Sequence, residues 1–463
     1  MRFYNSLSRH TEDFTPIKPP HVGMYTCGPT VYDNVTIGNW RTYIMSDILR
    51  RALLINGYDV DFVMNITDVG HLTGDNFGDA SSGEDRIEKA SKREGKTAWE
   101  IAKYYGDKFQ EEYKILNLLP PKLFAKATDH IDEQIALIEK IEKADFTYRT
   151  TDGIYFDTSA YENAGHKYGE LSSLEEIKEG ARIAINPEKR NSRDFALWKF
   201  HPTVGEREME WESPWGVGFP GWHIECSAMS AKYLGEQFDI HTGGEDLRGT
   251  HHPNEIAQSE SASGCSPFVR YWLHGAFLLV DGGRMGKSVG NAYTVDDLKE
   301  KDFNPLSLRY LFLGGHYRKQ QNFTWESLEA SENALHNMYF KFNEFGDDIG
   351  TINEKYKEKF LAFIDNDLST PQTLALAWNL IKDENLSSAD KKATLIYFDK
   401  LFGFGLDKLK KESHDVPEHI MRLVEARARA RAQNNWAEAD RLRDEITEAG
   451  FSIEDSEDGP KVS

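Results

Sequence analysis

The sequence predicts an α/β fold: a doubly wound, Rossmann-like domain split by a connective insertion and followed by an α-helical C-terminal region. Three observations indicate this. A strand–helix–strand pattern occupies residues 22–67, a similar pattern resumes at 226–244, and helical patterns predominate from 320 onward. Because two strands joined through a helix form a βαβ unit, the pattern predicts a parallel sheet.

The first unit consists of VGMYT (22–26), a helix over 40–56 and VDFVMNIT (60–67). Apolar residues within 40–56 recur at helical spacing, and Asn56-Gly57 predicts where the helix ends. The turn CGPT follows the first strand directly. We therefore expect two parallel strands with a helix packed against them.

The chain changes character in the middle before the α/β pattern returns. Residues 73–85 are rich in Gly, Asp and Ser and predict a mobile surface loop, while helical patterns fill 86–145. Strand-like pieces in a polar setting within 150–212 predict an insertion of different character. CSAMSAKYL (226–234) and FDIHTGG (238–244) then predict the helix and strand of the second half.

Composition restricts the class of protein. The 463 residues carry 55 Lys and Arg against 76 Asp and Glu, a formal net charge of −21, which opposes general adsorption to membranes or polyanions. No apolar run approaches the roughly 18 residues of a membrane span, and MRFYNSLSRHTEDFTP lacks a signal-peptide pattern. Three cysteines do not make a disulfide framework, and Cys265 is interpreted as structural. We expect a soluble cytoplasmic protein with reduced thiols and no membrane partner.

Four separated residues can be assembled into a metal site. His251 and Glu255 are four residues apart at the start of a predicted helix, so both side chains can point to one side. Cys27 and Cys226 follow turns near strand ends, and ligands collect at the carboxyl edge of open α/β sheets. Two thiols, an imidazole and a carboxylate suit zinc. The alternative is that the cysteines are small buried side chains and the histidine is a cap.

Two glycine-containing segments suit phosphate binding. In TIGNWRTYIMSD (36–47), Gly38 allows close backbone approach at a helix N-terminus. In DGGRMGKSVGN (281–291), glycines accompany Arg284 and Lys287, which suits a loop that closes over a polyphosphate. The alternatives are an ordinary turn for the first segment and a solvated hairpin turn for the second.

Motifs along nearly the whole chain resemble those of the cysteinyl-tRNA synthetases, a family of class I aminoacyl-tRNA synthetases. TIGN stands where the family has its HIGH-type motif, and RMGKS stands where it has its KMSKS-type loop. The other matching segments, in order, are YNSLSRHTEDFTP with YTCGPTVYD, NITD, WESPWGVGFPGWHIECSAM, GGEDL with HHPNEIAQSE, YWLHGAFLLVD, HYR, DNDLSTP and WAEADRLRDEI.

The resemblance implies an enzyme that uses ATP, with Mg²⁺, to convert L-cysteine to cysteinyl-adenylate and then charges the 3′-terminal adenosine of cysteine tRNA. It implies one Zn²⁺ per chain, bound by the four residues assembled above: Cys27, Cys226, His251 and Glu255. Shape alone rejects serine poorly, whereas a soft metal binds a thiolate far better than a hydroxyl. No segment obviously forms an editing domain, and we expect a monomer.

The resemblance also assigns the ATP site. Thr36, Gly38 and Asn39 are expected to hold ATP, with Gly38 admitting the adenosine. Arg284 retains the cation of the KMSKS-type loop. Lys287 is expected to stabilise charge on the phosphates during transfer. Thr36, Asn39 and Lys287 are thus the expected catalytic residues.

Five further residues are expected to contact the other two substrates. Thr67, Trp222 and Asp246 are expected around the amino acid, with Asp246 suited to its ammonium group. Their structural alternatives are a strand-end hydrogen bond, a core aromatic and a turn carboxylate. Arg427 and Arg431 share a helix face by their spacing and are expected to contact tRNA; the alternative is a solvated charged face.

The chain departs from the family pattern in several places. Thr36 replaces the first histidine of the HIGH-type motif, Gly286 replaces a serine, and Phe219 replaces an arginine. The C-terminus, SEDGPKVS, lacks the tryptophan and basic residues typical of the family. These departures predict reduced or differently tuned adenylation and weakened anticodon contact.

Two alternative functions remain at this stage. A related ATP-dependent ligase joins cysteine to an amino sugar, but the segment WAEADRLRDEI opposes it. A catalytically weak or silent tRNA-binding paralogue is favoured by Thr36 and opposed by Lys287.

The predicted domains are the first half of the catalytic domain (1–127), the connective insertion (128–213), the second half with the zinc helix (214–270), a KMSKS-loop and stem-contact region (271–320), a helical bundle (321–412) and an anticodon-binding region (413–463).

Overall fold

The computed structural model describes two compact units, Met1–Asp407 and Lys408–Ser463. The predicted loop at 73–85 lies outside the described residues except for Asp85. The described ranges are 1–71, 85–172, 186–201, 207–286, 289–409, 418–433, 435–448, 453–456 and 459–462.

Strands and helices alternate in the first half of the chain, and helices predominate afterwards. The strands are β1 (Arg2–Asn5), β2 (His10–Asp13), β3 (His21–Thr26), β4 (Asp59–Ile66), β5 (Leu123–Lys126), β6 (Thr147–Thr150), β7 (Gly153–Phe156), β8 (Phe195–Lys199), β9 (Phe219–Pro220), β10 (Phe238–Gly244), β11 (Val269–Gly275), β12 (Leu278–Val280), β13 (Gly283–Arg284), β14 (Gln321–Phe323), β15 (Ile453–Ser456) and β16 (Gly459–Val462). The α-helices are α1 (Ile37–Ile55), α2 (Arg86–Glu94), α3 (Ala98–Ile115), α4 (Ile131–Lys143), α5 (Thr158–Asn163), α6 (Trp222–Leu234), α7 (His251–Ser263), α8 (Val295–Glu300), α9 (Pro305–Leu313), α10 (Trp325–Glu344), α11 (Glu354–Ile364), α12 (Thr370–Lys382), α13 (Ser388–Phe402), α14 (Glu418–Ala432) and α15 (Trp436–Glu448).

The central sheet has the order β11-β10-β3-β4-β5, and all of its strands are parallel. This confirms the predicted α/β fold with its two halves. The expectation that helices fill 86–145 is wrong at Leu123–Lys126, which form β5. The four residues LFAK are too few for the alternation of a strand to be distinguished from the helical patterns on either side.

The order of strands creates a crevice at the carboxyl edge between β3 and β10. The chain leaves β3 for β4 on one side and later returns to β10 on the other, which is the topological switch point where ligands bind. Directly after β3, the Cys27 N–H donates to the carbonyl of Thr242 in β10 at 3.3 Å. A Cβ on Gly28 would lie 1.9 Å from the Asn65 carbonyl oxygen, so this turn requires glycine.

A second sheet, of order β6-β7-β8-β9 and entirely antiparallel, takes its first three strands from the predicted insertion and β9 from the segment that follows it. Strands β7 (GIYF) and β8 (FALWK) confirm the strand-like pieces predicted within 150–212. Buried side chains of this sheet and of α4, α6 and α7 form one continuous core with the central sheet; members include Phe156, Trp198, Ile141, Met229 and Trp272.

A buried charge cluster joins α1 to the later helices of the first unit. The Asp47 carboxylate accepts hydrogen bonds from Arg51 Nε at 2.7 Å, Arg309 Nη2 at 2.5 Å and the Leu119 N–H at 2.8 Å. Arg309 also donates to the Phe402 carbonyl at the end of α13. The helix that begins at TIGN is therefore anchored by ionic contacts at its far end.

The second unit pairs α14 with α15 and adds a hairpin, β15–β16. Its described core contains Ile420, Val424, Ile446 and Ile453. The prediction that helices predominate from 320 onward is confirmed for the described residues, while the hairpin was not predicted. Across the described residues, no helix combines the length and the apolar content needed to cross a bilayer.

Candidate active site

A cavity of about 200 Å³ lies at the carboxyl edge of the central sheet. Its walls come from the CGPT turn and the segment after it, the start of α1, the first residues of α2 and α6, and the end of β10 with the turn that follows. The described residues that line it are Cys27, Gly28, Pro29, Thr30, Tyr32, Asp33, Asn34, Val35, Thr36, Asn39, Thr42, Tyr43, Arg86, Trp222, Gly244, Asp246 and Leu247.

The four predicted metal ligands converge in one cluster, and Cys27 is the member of it that lines this cavity. The ligand atoms of Cys27, Cys226, His251 and Glu255 all lie within 4.8 Å of one another, and the residues are buried. The two sulfurs are 3.7 Å apart, and Glu255 Oε1 lies 3.5 Å from Cys27 Sγ and 3.1 Å from His251 Nε2. A tetrahedral ion with metal–sulfur bonds near 2.3 Å requires a sulfur–sulfur separation of about 3.8 Å. The arrangement is therefore compatible with a possible tetrahedral metal site.

A second group of potential ligands overlaps the first. It contains Cys27, His241, His252 and Glu255. Within this group His241 Nε2 lies 2.9 Å from Glu255 Oε2, and His252 Nε2 lies 3.5 Å from Cys27 Sγ. Because the first group supplies two thiols and the second only one, the first is the more suitable site for a soft metal.

The sequence reasoning missed a shell of buried histidines behind this site. His223 Nδ1 lies 2.8 Å from His251 Nδ1, and His241 stacks on Trp272 with ring centroids 4.5 Å apart. Such outer contacts fix the orientation of ligand side chains. The signal was present, since the histidines of this shell occur in GWHIEC, FDIHTGG, HHPNE and YWLHGAF, segments already singled out in the sequence as a strand or as family motifs.

The two thiols titrate as a pair. Burial, together with Cys226, raises the pKa of Cys27 well above its usual value. Although burial opposes it, the hydrogen bond from Cys27 lowers the pKa of Cys226. Burial also opposes ionisation of Glu255, but His241 and His251 lower its pKa to about 2. Cys27 therefore keeps its proton in the absence of a metal, and His251, whose pKa is raised to about 10 by Cys226 and Glu255 against the effect of burial, keeps its proton as well. A bound cation would take the place of these protons, because metal ligands bind in their deprotonated forms.

The expected ATP-binding residues surround the start of α1. Thr36 precedes the helix without capping it, and its hydroxyl instead donates to Asn39 Oδ1 at 2.7 Å. Helix N-termini favour anions, so this end of the cavity suits phosphate. A Cβ on Gly38 would lie 2.3 Å from Met285 Cε, which shows that the glycine-rich segment packs over the helix start.

The described part of that segment begins as a tight hairpin. Strands β12 and β13 pair across Asp281 and Gly282, with φ angles of 50° and 75°. Arg284 ends β13 and is exposed. The hairpin turn considered above is therefore present, and the segment continues beyond it. Lys287, the expected catalytic lysine, lies outside the described residues.

The three residues expected around the amino acid differ in position. Trp222 and Asp246 line the cavity, and burial raises the pKa of Asp246. Thr67 is buried and is not among the lining residues. Its hydroxyl donates to Glu225 Oε2 at 2.8 Å, and Glu225 Oε1 lies 2.7 Å from His71 Nε2.

At the departure from the family pattern, Phe219 packs against a cation supplied by another segment. The Arg207 guanidinium lies 3.5 Å from the centre of the Phe219 ring. It also pairs with Asp85 at 2.5 Å, and both side chains are buried. Arg207 therefore places a positive charge beside Phe219, the position at which the family has an arginine.

The expected tRNA-contacting arginines lie on α14 of the second unit. Arg427 is only 3% exposed, which opposes the alternative of a solvated face for its side chain, while its expected contact with tRNA stays a prediction. Arg431 is half-buried, with its guanidinium 5.6 Å from the centre of the Trp436 ring. Arg422 and Arg429 are exposed on the same helix.

Comparison with known proteins gives consistent results for the catalytic and C-terminal parts. Residues 13–333 match the family described as "tRNA synthetases class I (C) catalytic domain", and residues 413–461 match the "Cysteinyl-tRNA ligase anticodon binding domain". Cysteine–tRNA ligase 1 of Burkholderia lata is 47% identical and covers 100% of this chain and 96% of its own. The cysteine–tRNA ligase of Treponema denticola is 41% identical, covering 98% of each chain.

Solved structures support the fold. A Mycobacterium tuberculosis methionyl-tRNA synthetase in complex with methionyl-adenylate superposes with a TM-score of 0.55 at 16% identity, covering 82% of this chain and 89% of its own. At that identity the likeness concerns the fold alone. It agrees with the parallel sheet and helical C-terminal region described above.

Proposed function

The chain belongs to the cysteinyl-tRNA synthetase family of class I aminoacyl-tRNA synthetases, and we propose that it activates L-cysteine with ATP and transfers it to cysteine tRNA. One observation carries this proposal: Cys27, a member of the buried Cys/Cys/His/Glu cluster, lines the same cavity as Thr36 at the uncapped N-terminus of α1. Neither alternative function is supported, because full-length relatives bear the cysteine–tRNA ligase name and residues 413–461 match an anticodon-binding domain.

We propose Zn²⁺ as the ion for Cys27, Cys226, His251 and Glu255. The donor set of two sulfurs, one nitrogen and one oxygen suits zinc better than Mg²⁺ or Ca²⁺, which prefer oxygen ligands. When bound, zinc would supply a soft Lewis acid that prefers the substrate thiolate to a serine hydroxyl. The four residues therefore form the basis for selecting cysteine.

Two steps of chemistry follow from the proposed substrates. The cysteine carboxylate attacks the α-phosphate of ATP, the bond to the β-phosphate breaks, and pyrophosphate leaves. A ribose hydroxyl of the terminal adenosine of the tRNA then attacks the activated carbonyl and displaces AMP. These steps depend mainly on positioning and charge neutralisation rather than on acid–base side chains.

The residues of the cavity have separate tasks in these steps. Asp246 binds the ammonium group of cysteine, and Trp222 forms the wall beside it. Thr36 and Asn39 position ATP at the start of α1, where Gly38 admits the adenosine. Because Thr67 donates to Glu225, we propose that it acts by positioning the neighbouring backbone rather than by direct contact.

The glycine-rich segment supplies the cations for the transferred phosphates. We propose that Arg284 and Lys287 move over ATP when it binds, with Mg²⁺ accompanying the phosphates. Arg284 is exposed, so its guanidinium is accessible for such a movement.

The second unit is proposed to bind tRNA through α14. Arg431 retains its expected role, whereas buried Arg427 supports the fold of the unit. We further propose a monomer that acts in the cytoplasm, where a reducing environment keeps Cys27 and Cys226 as free thiols that a metal can bind. Size-exclusion chromatography with light scattering tests the oligomeric state.

The decisive experiment measures aminoacylation of cysteine tRNA by the purified protein, with serine as the control amino acid. We expect cysteine to be charged and serine to be rejected. Cysteine-dependent ATP–pyrophosphate exchange tests the first step by itself. An ordinary synthetase rate in that assay would disprove the predicted effect of Thr36 on adenylation.

Substitution of single cysteines tests the role of the metal. Cys226→Ser is expected to lose zinc and cysteine-dependent exchange together. Cys265→Ser is the matched control, because Cys265 lies outside both ligand groups. If Cys226→Ser kept both zinc and cysteine selectivity, the proposed site would be wrong.

A further inference from the structure

The cavity contains one basic side chain to which no role has been given. Among the described residues that line it, Arg86 is the only lysine or arginine, whereas Asp33 and Asp246 both contribute carboxyl groups. A triphosphate requires nearby positive charge, and Arg284, the described cation of the glycine-rich segment, is not among these lining residues. Among the described lining residues, the positive charge that a phosphate needs must therefore come from Arg86.

The backbone of Arg86 is held firmly at the start of α2. Its N–H donates to the His71 carbonyl at 3.1 Å. The preceding residue, Asp85, caps the helix by accepting from the Glu88 N–H at 2.9 Å and pairs with buried Arg207 at 2.5 Å. These contacts fix the position from which the Arg86 side chain extends.

The guanidinium of Arg86 is oriented by an aromatic ring rather than by a carboxylate. It lies 5.5 Å from the centre of the Tyr32 ring, and Tyr32 also lines the cavity. No ion pair of Arg86 is found within the described part of the chain. The adjacent carboxylate, Asp33, instead lies 3.7 Å from Arg93. The N–H groups of the planar Arg86 guanidinium are therefore available to bind another anion.

We infer that Arg86 binds a phosphate group of a substrate in this cavity, an assignment that rests on the proposed function. Thr36 and Asn39 line the same cavity at the uncapped start of α1, so the triphosphate of ATP is the first source of that phosphate. The phosphodiester before the terminal adenosine of tRNA is the second source. Both present the oxygen geometry that arginine binds in a bidentate manner.

The test substitutes Arg86 by Gln and by Lys in the full chain. Equilibrium dialysis measures the dissociation constants of ATP and of adenosine without requiring turnover. We expect Arg86→Gln to weaken ATP binding about tenfold and to leave adenosine binding unchanged, since only ATP carries the phosphates. Arg86→Lys should restore part of the loss because it keeps the charge without the fork.

A second measurement distinguishes the two sources of phosphate. If exchange and ATP binding are unchanged but the KM for tRNA in aminoacylation rises several-fold, the tRNA phosphodiester is the ligand. Lys92→Gln is the control, because Lys92 is an exposed cation on the same helix and does not line the cavity. Its ATP and tRNA parameters should stay within about twofold of wild type.

Two outcomes would overturn the assignment. One is an Arg86→Gln protein with ATP binding and tRNA charging within twofold of wild type. The other is an equal loss of ATP and adenosine binding, which would mean that Arg86 maintains the shape of the cavity. Failure of the wild type to catalyse cysteine-dependent exchange would instead refute the proposed function and leave the dialysis result interpretable.

Discussion

Replacement of His241 tests whether the outer histidines determine metal affinity. His241 Nε2 lies 2.9 Å from Glu255 Oε2, and both side chains are fully buried. The other oxygen of Glu255 faces Cys27 and His251. A His241→Leu substitution removes the partner of Oε2 and frees the carboxylate to rotate away from the position that suits the metal.

Two independent estimates give the expected loss of zinc affinity. Loss of an outer partner of a metal ligand costs roughly 10- to 100-fold in affinity, which corresponds to about 1.4–2.7 kcal/mol. Leaving a buried acceptor without its hydrogen bond costs about 1–3 kcal/mol. Because the two estimates agree, we expect zinc to bind His241→Leu about 10- to 100-fold more weakly than wild type.

Competition with a chromophoric chelator measures this affinity directly. His241→Gln is the matched variant, since its amide can still donate toward Glu255 and should recover part of the loss. Far-ultraviolet circular dichroism checks that both variants keep the fold, since each change also removes the ring that stacks on Trp272. Wild-type zinc affinity in His241→Leu, with Cys226→Ser losing zinc in the same assay, would refute the reasoning.

Three further predictions concern stability and ATP binding. Asp47→Ala should destabilise the first unit by about 3–5 kcal/mol, because it removes the carboxylate that pairs with the buried guanidinium groups of Arg51 and Arg309. Denaturant unfolding measures the loss, and the control Asp107→Ala, at an exposed position, should change stability by less than about 1 kcal/mol. Gly38→Ala should raise the KM for ATP about three- to tenfold by displacing Met285, and the added Met285→Ala change should reverse it. Burial raises the pKa of Glu112 from 4.5 to about 7, so its contribution to stability is present below pH 4.5 and is lost as the pH rises through 7. Wild type should therefore lose up to about 3 kcal/mol relative to Glu112→Gln between those values, and unfolding midpoints that track each other across this range would contradict the shift.

Several parts of the fold could be predicted because they depend on local patterns. The βαβ units follow from apolar runs and helical periodicity, and the insertion follows from a change in composition. Strand β5 and the hairpin β15–β16 could not be predicted, since four-residue strands carry too little periodicity and gain stability only from pairing. The burial of Arg427 was equally hidden, because charge pattern alone does not reveal tertiary packing.

The sequence by itself determined the family and the four potential metal ligands, because residue types at fixed places in long motifs define them. Only the tertiary structure decided which atoms meet. It brings Cys27 and Cys226 to 3.7 Å across 199 residues of chain and directs His241 to one oxygen of Glu255. It also directs Thr67 to Glu225 and brings Arg86 to the cavity wall. The physical reason is that sequence spacing fixes neighbours along a helix or strand, whereas contacts between elements depend on how the sheet and helices pack.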